Sequence, residues 1–222
     1  MRAKAFVISE DPGQDLTRRH LLEAAGEVFA AAGFRDATVR EICQRAGANV
    51  AAINYHFGDK ETLYAEVLRY AQAKALEKYP LLLGVADAAP AEEKLHAFVL
   101  SLLSRIFDKG PTSWHGRLMS REMIEPTAAL DTLIEERIRP MSDTLRKIVS
   151  EILRCPQTDE RVVSCAFSVV SQCVFYNHSR PVIVRLSPGH LPDDPAALAR
   201  LAAHITRFSL AAMRDYSAKQ KI

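Results

Sequence analysis

Apolar residues recur every three or four positions along most of this 222-residue chain, the spacing that places side chains on one face of an α-helix. The first such stretch begins at Asp15 or Thr17 and ends at Ala32. Gly33 follows it, at the position where a left-handed residue commonly closes a helix. Residues 1–14 lack the periodicity, so we expect a flexible N-terminal arm there.

Three more helices are predicted directly after the first one. Thr38 and Glu41 have the spacing of a capping box, in which each side chain caps the other residue's backbone N–H. That pair predicts a second helix over 39–46. A third helix over 50–56 follows a glycine, and Asp59 is placed to cap a long fourth helix.

The rest of the chain continues the helical pattern. The predicted helices cover residues 91–108, a short stretch after Ser113, 130–152, 159–178 and a last stretch from Asp194 onward. The apolar spacing continues through Pro140, which predicts a kinked helix or two nearly coaxial ones. Residues 180–192 are expected to be irregular, with a brief extended run at 182–184. The pattern as a whole predicts an all-α protein of about nine or ten helices without a sheet.

Residues 38–60 combine two short helices, a glycine turn and an exposed cluster of polar and aromatic side chains. Gly47 ends the first of these helices, and 50–56 form the second. A helix-turn-helix of this build places its second helix in the major groove of DNA. A glycine turn alone is a weak indication, but all these features together within one short segment are a strong one.

Four positions of the motif have the chemistry of contacts to the DNA backbone. Thr38 stands at a helix start, where its hydroxyl and nearby N–H groups suit a phosphate. Lys60 offers a cation in the first turn of the next helix, and Tyr55 and His56 lie between them. Two alternatives stay open, because Tyr55 can belong half to the core and His56 can satisfy a local backbone group.

Base contacts are expected from Asn49, Val50, Ala51 and Asn54, at the start and on the exposed side of the third helix. Asparagine bonds bidentately to adenine, and valine or alanine packs against a thymine methyl group. Asn49 has a structural role as the alternative, because asparagine is also a preferred turn and N-cap residue.

Charge does not by itself support DNA binding. The net charge is +2, and residues 15–74 carry eight Lys or Arg against eight Asp or Glu. The interpretation therefore depends on where individual residues lie. No apolar run approaches the roughly 18 residues of a membrane-spanning helix, and the N-terminus lacks the apolar segment of a signal peptide. We expect a cytoplasmic protein that has no membrane partner.

Cysteine and histidine usage argues against a metal site. Cys43, Cys155, Cys165 and Cys173 are expected to be buried, reduced thiols, with a redox sensor as the alternative. No Cys-x-x-Cys or His-x-x-x-His pair occurs, so we expect no bound metal and no cofactor. No nucleophile elbow, phosphate loop or paired-carboxylate motif predicts catalytic residues, so we do not expect an enzyme. A helical interaction module that does not bind DNA is a further alternative.

Residues 17–68 resemble the N-terminal domain of the tetracycline-repressor (TetR) family of transcriptional regulators. The resemblance rests on Ala24-Ala25, Phe29, Gly33-Phe34, Thr38-Val39, Ile42, Ala46-Gly47, Ile53, Tyr55-His56-Phe57, Lys60-Glu61 and Leu63. The run 49–58 is similar to the subgroup that has a CerR-type C-terminal domain. Residues 172–176 and 204–208 are similar to that domain, less closely.

The resemblance implies a domain organisation. Residues 15–74 would form the DNA-binding head, with the helix-turn-helix at about 38–57. Residues 75–222 would form a regulatory and dimerisation domain. Asn54 departs from the family, because many members have tyrosine there, so base contact at that position is a hypothesis of its own.

The resemblance also implies conserved functions for single positions and surfaces. Thr38, Tyr55, His56 and Lys60 stand at the family's DNA-backbone positions. The implied partners are double-stranded operator DNA, a second copy of the chain and an effector bound inside the C-terminal bundle.

The C-terminal apolar stripes supply candidates for the effector pocket and the dimer interface. Aromatic and methionine side chains suit a small apolar organic effector. The pocket candidates are Phe98, Leu102, Phe107, Trp114, Met119, Met123, Phe167 and Phe175, with Gln172 as a polar anchor. The dimer candidates are Val163, Ala166, Val170, Leu198, Leu201, Ile205, Phe208 and Ala212. Ordinary core packing is the alternative for both sets, because both keep helical spacing.

These patterns together predict a ligand-responsive repressor that binds a palindromic operator as a homodimer. The alternative is a regulator that responds to redox state or to a metal through cysteine and histidine instead of binding an organic effector.

Overall fold

A computed structural model describes residues 12–110 and 113–218, and these residues form helices and connecting loops without a β-strand. The helices are α1 Pro12–Asp36, α2 Val39–Ala46, α3 Val50–Phe57, α4 Lys60–Lys78, α5 Ala91–Ile106, α6 Trp114–Ile124, α7 Ala129–Leu133, α8 Arg139–Leu153, α9 Glu160–His178, α10 Arg180–Leu186 and α11 Pro195–Ala218. A π-helical turn, Ile134–Ile138, joins α7 to α8. The described part of the chain confirms the predicted all-α fold, and its helices number ten when α7, the π turn and α8 count as one.

The N-terminal helix begins earlier than predicted. α1 starts at Pro12, so 12–14 are helical and not part of an arm, while 1–11 lie outside the described residues. Proline is well tolerated in the first turn of a helix, because the N–H that it lacks has no partner there. Gly33 interrupts α1 near its end with φ 83° and ψ 169°, which is the break that the sequence predicts.

Pro140 does not interrupt the helix that the sequence predicts over 130–152. Pro140 lies at the beginning of α8, and the helical run continues through it. The helix is irregular just before Pro140, at the π turn Ile134–Ile138. In a π turn each backbone hydrogen bond spans five residues, one more than in an α-helix. A proline ring crowds the carbonyl four residues earlier, here that of Glu136, so a wider turn at that position relieves the crowding.

The segment predicted as irregular, with an extended run at 182–184, is helical instead. α10 covers Arg180–Leu186, and the backbone N–H of Ile183 donates to the Ser179 carbonyl at 2.9 Å. Pro181 presets the backbone angle of the first turn. Ile183 is buried, so packing of this side chain overrides the β-propensity of the two flanking valines.

The apolar side chains form two separate clusters. The first holds the buried residues of α1 to α4, including Phe29, Ile42 and Ile53, and it also takes in Trp114 and Leu118 of α6. The second cluster joins α5, α8, α9 and α11. Helix α6 therefore packs with the N-terminal head, although it lies far beyond it in the sequence.

Helices α1 and α6 pack closely together at a glycine. A Cβ atom added to Gly26 would lie 2.3 Å from the ring of Trp114, far inside van der Waals contact. Trp114 is 2% exposed, so its ring is held between the two helices and cannot turn aside. The missing side chain of Gly26 is thus what allows α6 to approach α1.

We expect Gly26→Ala to destabilise the protein by about 2 kcal/mol, because overpacking a rigid core costs about 1–3 kcal/mol. Gly116→Ala is the matched control, since its added Cβ would meet its nearest atom, the Ile106 carbonyl oxygen, at 3.4 Å, an ordinary contact. Chemical denaturation of the two variants measures the difference. Equal stability of both variants would contradict the close approach.

Candidate nucleic-acid interface

Side-chain caps fix the ends of α2 and α3. The Thr38 hydroxyl accepts a hydrogen bond from the backbone N–H of Glu41 at 3.2 Å. Gly47 ends α2 in the left-handed conformation, with φ 64°. The Asn49 side chain accepts a hydrogen bond from the backbone N–H of Ala52 at 2.9 Å. Asn49 therefore caps α3, which is the structural role that was the alternative to base contact. These short-range bonds set the turn between the two helices.

Burial fixes which face of α3 points outward. Ile53 and Phe57 are buried in the first cluster, opposite the side of α3 that carries Ala51 and Asn54. Because these four residues share one helix, anchoring the first pair exposes the second. The face that remains outside is the one that the sequence assigns to base contacts.

The predicted DNA-contacting residues on this face lie close together and open to solvent. Val50, Ala51 and Asn54 are exposed, and Tyr55 is exposed by 70%, so its side chain does not belong to the core. His56 is half-buried, with its ring centroid 5.0 Å from that of Tyr55. The surface therefore offers small apolar groups, an amide and a phenol side by side.

The proposed lysine contact is already engaged within the chain. The Lys60 ammonium donates to the Arg35 carbonyl at 3.2 Å and lies 4.8 Å from the centre of the Phe34 ring. A phosphate contact by Lys60 requires this ammonium to turn away from the end of α1. Thr38 is exposed, and its hydroxyl can donate a hydrogen bond while it caps α2.

Two residues near this surface have no role in the sequence prediction. Thr17 and His20 of α1 are exposed and line a cleft of about 330 Å³ together with Gly47, Asn49 and Ala52. The fold brings α1 beside the turn, although the two segments lie far apart in the sequence. His20 is a single histidine on the polar side of a predicted helix, and its sequence context gives no indication that it lies near the turn.

A buried hydrogen-bonded group connects the head to α6. The Tyr64 hydroxyl donates to a Glu122 carboxylate oxygen at 2.7 Å. The other oxygen accepts from the backbone N–H of Thr127 at 2.9 Å and from its hydroxyl at 3.0 Å. Glu122 has no exposed surface. Burial, and then the bond to Glu122, raise the pKa of Tyr64 far above its usual value, so the phenol remains the donor.

Arginines add two more links between the halves of the chain. Arg121 of α6 donates to the carbonyls of Ala30 and Ala31 at 3.1 and 2.7 Å, near the end of α1. Arg69 of α4 donates to both carboxylate oxygens of Glu136, at 2.8 and 3.3 Å. Glu136 belongs to the π turn, so this turn is also bonded to the head.

The structure separates the residues that were predicted to line one effector pocket, which corrects that prediction. Phe98 and Leu102 belong to the second cluster, whereas Trp114 and Met119 belong to the first. Phe107 and Gln172 are half-buried. The side chains of Met123, Phe167 and Phe175 are exposed. Gln172 donates to the Ser209 hydroxyl at 3.1 Å, between α9 and α11. Helical spacing does not say which neighbour a stripe meets, so it cannot identify residues that share a cavity.

A cavity does exist beside the end of α4, but with other residues. It holds about 300 Å³ between Tyr79, the end of α5 and the loop before α11. Of the predicted pocket residues, Phe107 alone is among its lining residues.

The dimer prediction also needs correction at single residues. Ala166 and Ile205 are buried inside their own chain, and Val163, Val170, Leu198 and Leu201 are half-buried. Phe208 and Ala212 are exposed, as an interface between subunits requires. The two buried residues cannot contact a second subunit, and Val170, Leu198 and Leu201 pack in part against the second cluster of their own chain.

Both α9 and α11 carry large apolar side chains that are exposed. Phe167, Val174 and Phe175 of α9 and Phe208 of α11 are each exposed by 42 to 66%. Large apolar side chains at such exposure usually mark a contact with another molecule when they lie together. We refer to these four residues as the α9–α11 face.

The cysteines are free thiols that differ in exposure. Cys43, Cys165 and Cys173 are buried, and Cys155 is half-buried. Burial raises the pKa of the Cys173 thiol to about 12, which keeps it protonated. Within residues 12–110 and 113–218, no group of three His, Cys, Asp or Glu side chains is arranged to hold a metal ion. No helix in these ranges has the length and apolar character needed to cross a membrane.

Comparison with known proteins identifies the family. Residues 21–67 match the model of the bacterial regulatory proteins of the tetR family, and residues 91–213 match the C-terminal domain of the HTH-type transcriptional dual regulator CecR. The second match covers more than half of the chain. The chain belongs to the TetR family of DNA-binding transcriptional regulators and has a CecR-type C-terminal domain, which is the domain predicted from the sequence as CerR-type.

Individual relatives and solved structures agree with this family. The dual regulator CecR of Shigella flexneri is 26% identical over 75% of this chain and 78% of its own length. The repressor NicS of Pseudomonas putida is 26% identical over 82% and 85%. AibR, solved with isovaleryl coenzyme A and operator DNA, has a TM-score of 0.67 at 18% identity, over 86% of this chain and 97% of its own. PfmR of Thermus thermophilus gives 0.62 at 20% identity, over the same shares.

A buried histidine gives the domain junction a pH dependence. His115 of α6 is 6% exposed, and its Nε2 atom has no hydrogen-bond partner. Burial lowers its pKa to about 4 from the ordinary 6.5. The unfolded chain therefore binds a proton between pH 6.5 and 4 that the folded chain does not, so stability falls as pH falls through this range.

We expect His115→Gln to remove part of this acid sensitivity. Wild type should lose on the order of 2 kcal/mol of unfolding free energy at this site between pH 6.5 and 4, and the variant should lose less. The exposed His178→Gln variant is the control and should follow wild type. Urea denaturation at several pH values checks the result, and parallel curves for His115→Gln and wild type would rule out the buried neutral histidine.

Proposed function

We propose that this protein is a ligand-responsive repressor that binds a palindromic operator as a homodimer. The observation that carries the proposal is the outward face of α3, where Ala51, Asn54 and Tyr55 are exposed while Ile53 and Phe57 anchor the helix. Such a face fits the major groove, because small side chains let the helix enter deeply and an amide can pair with adenine.

The backbone contacts of the proposed complex surround this face. The start of α2, with the exposed Thr38, can direct N–H groups and a hydroxyl at one phosphate. The phenol of Tyr55 can donate to another, and His56 supports it through its ring contact. Lys60 reaches a phosphate after it leaves the Arg35 carbonyl. Because the head has no net charge, the DNA would be positioned by individual side-chain contacts and not by a general electrostatic attraction.

A homodimer follows from the exposed apolar residues of the α9–α11 face. A second copy that packs the same face against it removes Phe167 and Phe208 from water in both subunits. The resulting twofold axis presents two α3 helices to one side of a duplex. Two half-sites about 34–36 Å apart, or a multiple of that distance, would then form an approximate palindrome.

Effector response would pass through α6 and the π turn, the elements that bind to the head. The relatives support a regulatory role, since NicS is named a repressor and AibR was solved with both an acyl-coenzyme A and operator DNA. A ligand that releases DNA a thousandfold must favour the released conformation by about 4 kcal/mol. Breaking buried contacts such as Tyr64 with Glu122 has a cost of that order.

The most direct experiment is selection of bound duplexes from a random pool with the purified full-length chain. The proposal expects one enriched sequence with twofold symmetry and a constant half-site spacing. Enrichment of no sequence would contradict operator binding, and a site without symmetry would contradict the homodimer on DNA.

We expect Asn54→Ala to weaken binding to the best operator by about 1–3 kcal/mol and to change the preferred base at one position. Lys60→Ala is the contrasting variant, because losing a phosphate contact weakens all duplexes alike and lowers the salt slope by about one unit. Titrations against the selected operator and against single-base variants measure both. A uniform loss for Asn54→Ala would assign Asn54 to the DNA backbone instead.

We expect Phe208→Glu to separate the dimer into monomers, because it places a charge on the α9–α11 face. Leu186→Glu is the matched control, since Leu186 of α10 is exposed by 78% and lies outside this face. Sedimentation at micromolar concentration should show monomers for the first variant and dimers for the second. A dimer that survives Phe208→Glu would place the interface elsewhere.

A further inference from the structure

Helix α5 carries a half-buried arginine, Arg105, whose guanidinium group has no acidic partner among the described residues. The Nη2 atom of Arg105 has less than 1 Å² of exposed surface and no hydrogen-bond partner. Its Nη1 donates to the sulfur of Met141 at 3.4 Å, and its Nε donates to the Ser101 carbonyl in the same helix at 3.4 Å. A thioether is a weak acceptor, so the guanidinium is poorly satisfied.

A charge held in this way destabilises the folded protein. Burial lowers the pKa of Arg105 to about 10, which still leaves it protonated near neutral pH. No Asp or Glu forms an ion pair with it among the described residues. A buried, uncompensated cation is costly, and groups of this kind occur where a binding partner completes them.

A second arginine with an unpartnered buried nitrogen lies four residues before Met141. The Nε atom of Arg137 is also buried without a partner. Arg137 belongs to the π turn Ile134–Ile138 and precedes Met141 by four residues, about one helical turn. Single π turns are frequent at functional sites, because they redirect side chains that a regular helix would align differently. Arg105 and Arg137 thus each have one buried nitrogen without an acceptor, and Met141 accepts from the first and follows the second by four residues.

The side opposite Arg105 is formed by α9. Cys173 is fully buried and close enough to Arg105 for an electrostatic interaction between the two groups. Asn177 follows Cys173 by one turn, so the two share a face of α9. The Asn177 amide donates to the Ser120 hydroxyl of α6 at 3.1 Å. The next residue, Arg121, is the one that donates to the carbonyls of α1.

We propose that the carboxylate of a small organic acid binds among α5, α8 and α9, where it accepts hydrogen bonds from Arg105 Nη2 and Arg137 Nε and displaces the Met141 thioether. This inference rests on the proposed ligand-responsive function and names the chemical class of the effector. It replaces the purely apolar effector that the sequence suggested with an acid that has an apolar body.

The surroundings favour a carboxylate over a phosphate. A carboxylate carries one delocalised charge, and its planar pair of oxygens matches two N–H donors. A phosphate dianion would need more donors than these two arginines offer, and its desolvation among Met141 and Cys173 would cost more. Methionine is unbranched and flexible, so Met141 can move aside to admit the ligand.

The position of the site also explains how binding of such a ligand would affect the DNA-binding head. Arg137 is the neighbour of Glu136, which holds Arg69 of α4 through two hydrogen bonds. An acid that draws Arg137 toward Arg105 would disturb this pair. The bond between Asn177 and Ser120 offers a second route, through α6 to α1.

Thermal denaturation of the full chain tests the site. Benzoate, phenylacetate and butyrate are the probes, each compared at constant ionic strength with its neutral amide, and inorganic phosphate distinguishes the other source of an oxyanion. At 10 mM we expect at least one carboxylate to raise the Tm of wild type by about 2 °C or more, with no rise for its amide or for phosphate. No shift with any of the three carboxylates would overturn the proposal, and a shift with phosphate of the same size would assign the site to phosphate instead.

Variants connect the shift to the two arginines. Arg105→Met should raise the Tm of the unliganded protein, because it removes the uncompensated charge, and should abolish the carboxylate shift. Arg137→Met should reduce the shift, and Arg105→Lys serves as a second test because it keeps the charge without the planar fork. Arg117→Met, at an exposed arginine of α6, is the control and should keep the full shift. An undiminished shift in both Arg105 variants would refute the site.

Failure of this inference is distinguishable from failure of the proposed function. Mobility shifts with the selected operator should show that Arg105→Met binds DNA as wild type does and is no longer released by the carboxylate. If wild type binds no operator, the proposed function fails, whatever the thermal shifts are. If wild type binds the operator and the carboxylate shift does not depend on Arg105, the inference alone fails.

Discussion

The contact of α6 with α1 and α4 is the constraint on which the rest of this structure depends. Trp114 packs on the bare backbone of Gly26, and two residues near the other end of α6 complete the contact. Arg121 satisfies carbonyls near the end of α1, and Glu122 holds the buried phenol of Tyr64. A buried carboxylate with three hydrogen bonds has one low-energy arrangement. Helix α6 therefore holds the head in one position relative to itself.

This constraint ties the helix-turn-helix head to an element far beyond it in the sequence. The caps at Thr38 and Asn49 determine the internal geometry of the helix-turn-helix, whereas α4, α6 and the π turn determine how the whole head is held. Under the proposed ligand response, the second of these is what a ligand would change, because the caps are bonds between neighbouring residues of the head itself. The ion pair of Arg69 with Glu136 and the clamp of Arg121 are the connections that would carry such a change.

Charge in this protein is informative where it is unpaired and not where it is abundant. Most described surface charges of the head are matched locally, as Arg45 is with Glu27 at 2.6 Å, so they give the head no general affinity for phosphate. Arg105 is the reverse case, a single cation whose surroundings offer a sulfur and a carbonyl. The energetic cost of burying such a group makes it a stronger sign of a ligand than the aromatic residues first assigned to the pocket.

The sequence by itself determined the helices other than α10, the caps of α2 to α4 and the outward face of α3, because those features depend on side chains within a few residues of each other. The order Thr38, Gly47, Asn49, Asp59 is sufficient to place four helix ends, and the alternation of Ile53 and Phe57 with Asn54 is sufficient to orient α3. Tertiary structure alone decided which stripe of α9 and α11 faces inward, how Trp114 joins the head, that 180–186 are helical, and that the Nη2 atom of Arg105 lacks an acceptor. Each of these results depends on partners distant in the chain, and helical periodicity records that a side chain is buried but not what it is buried against.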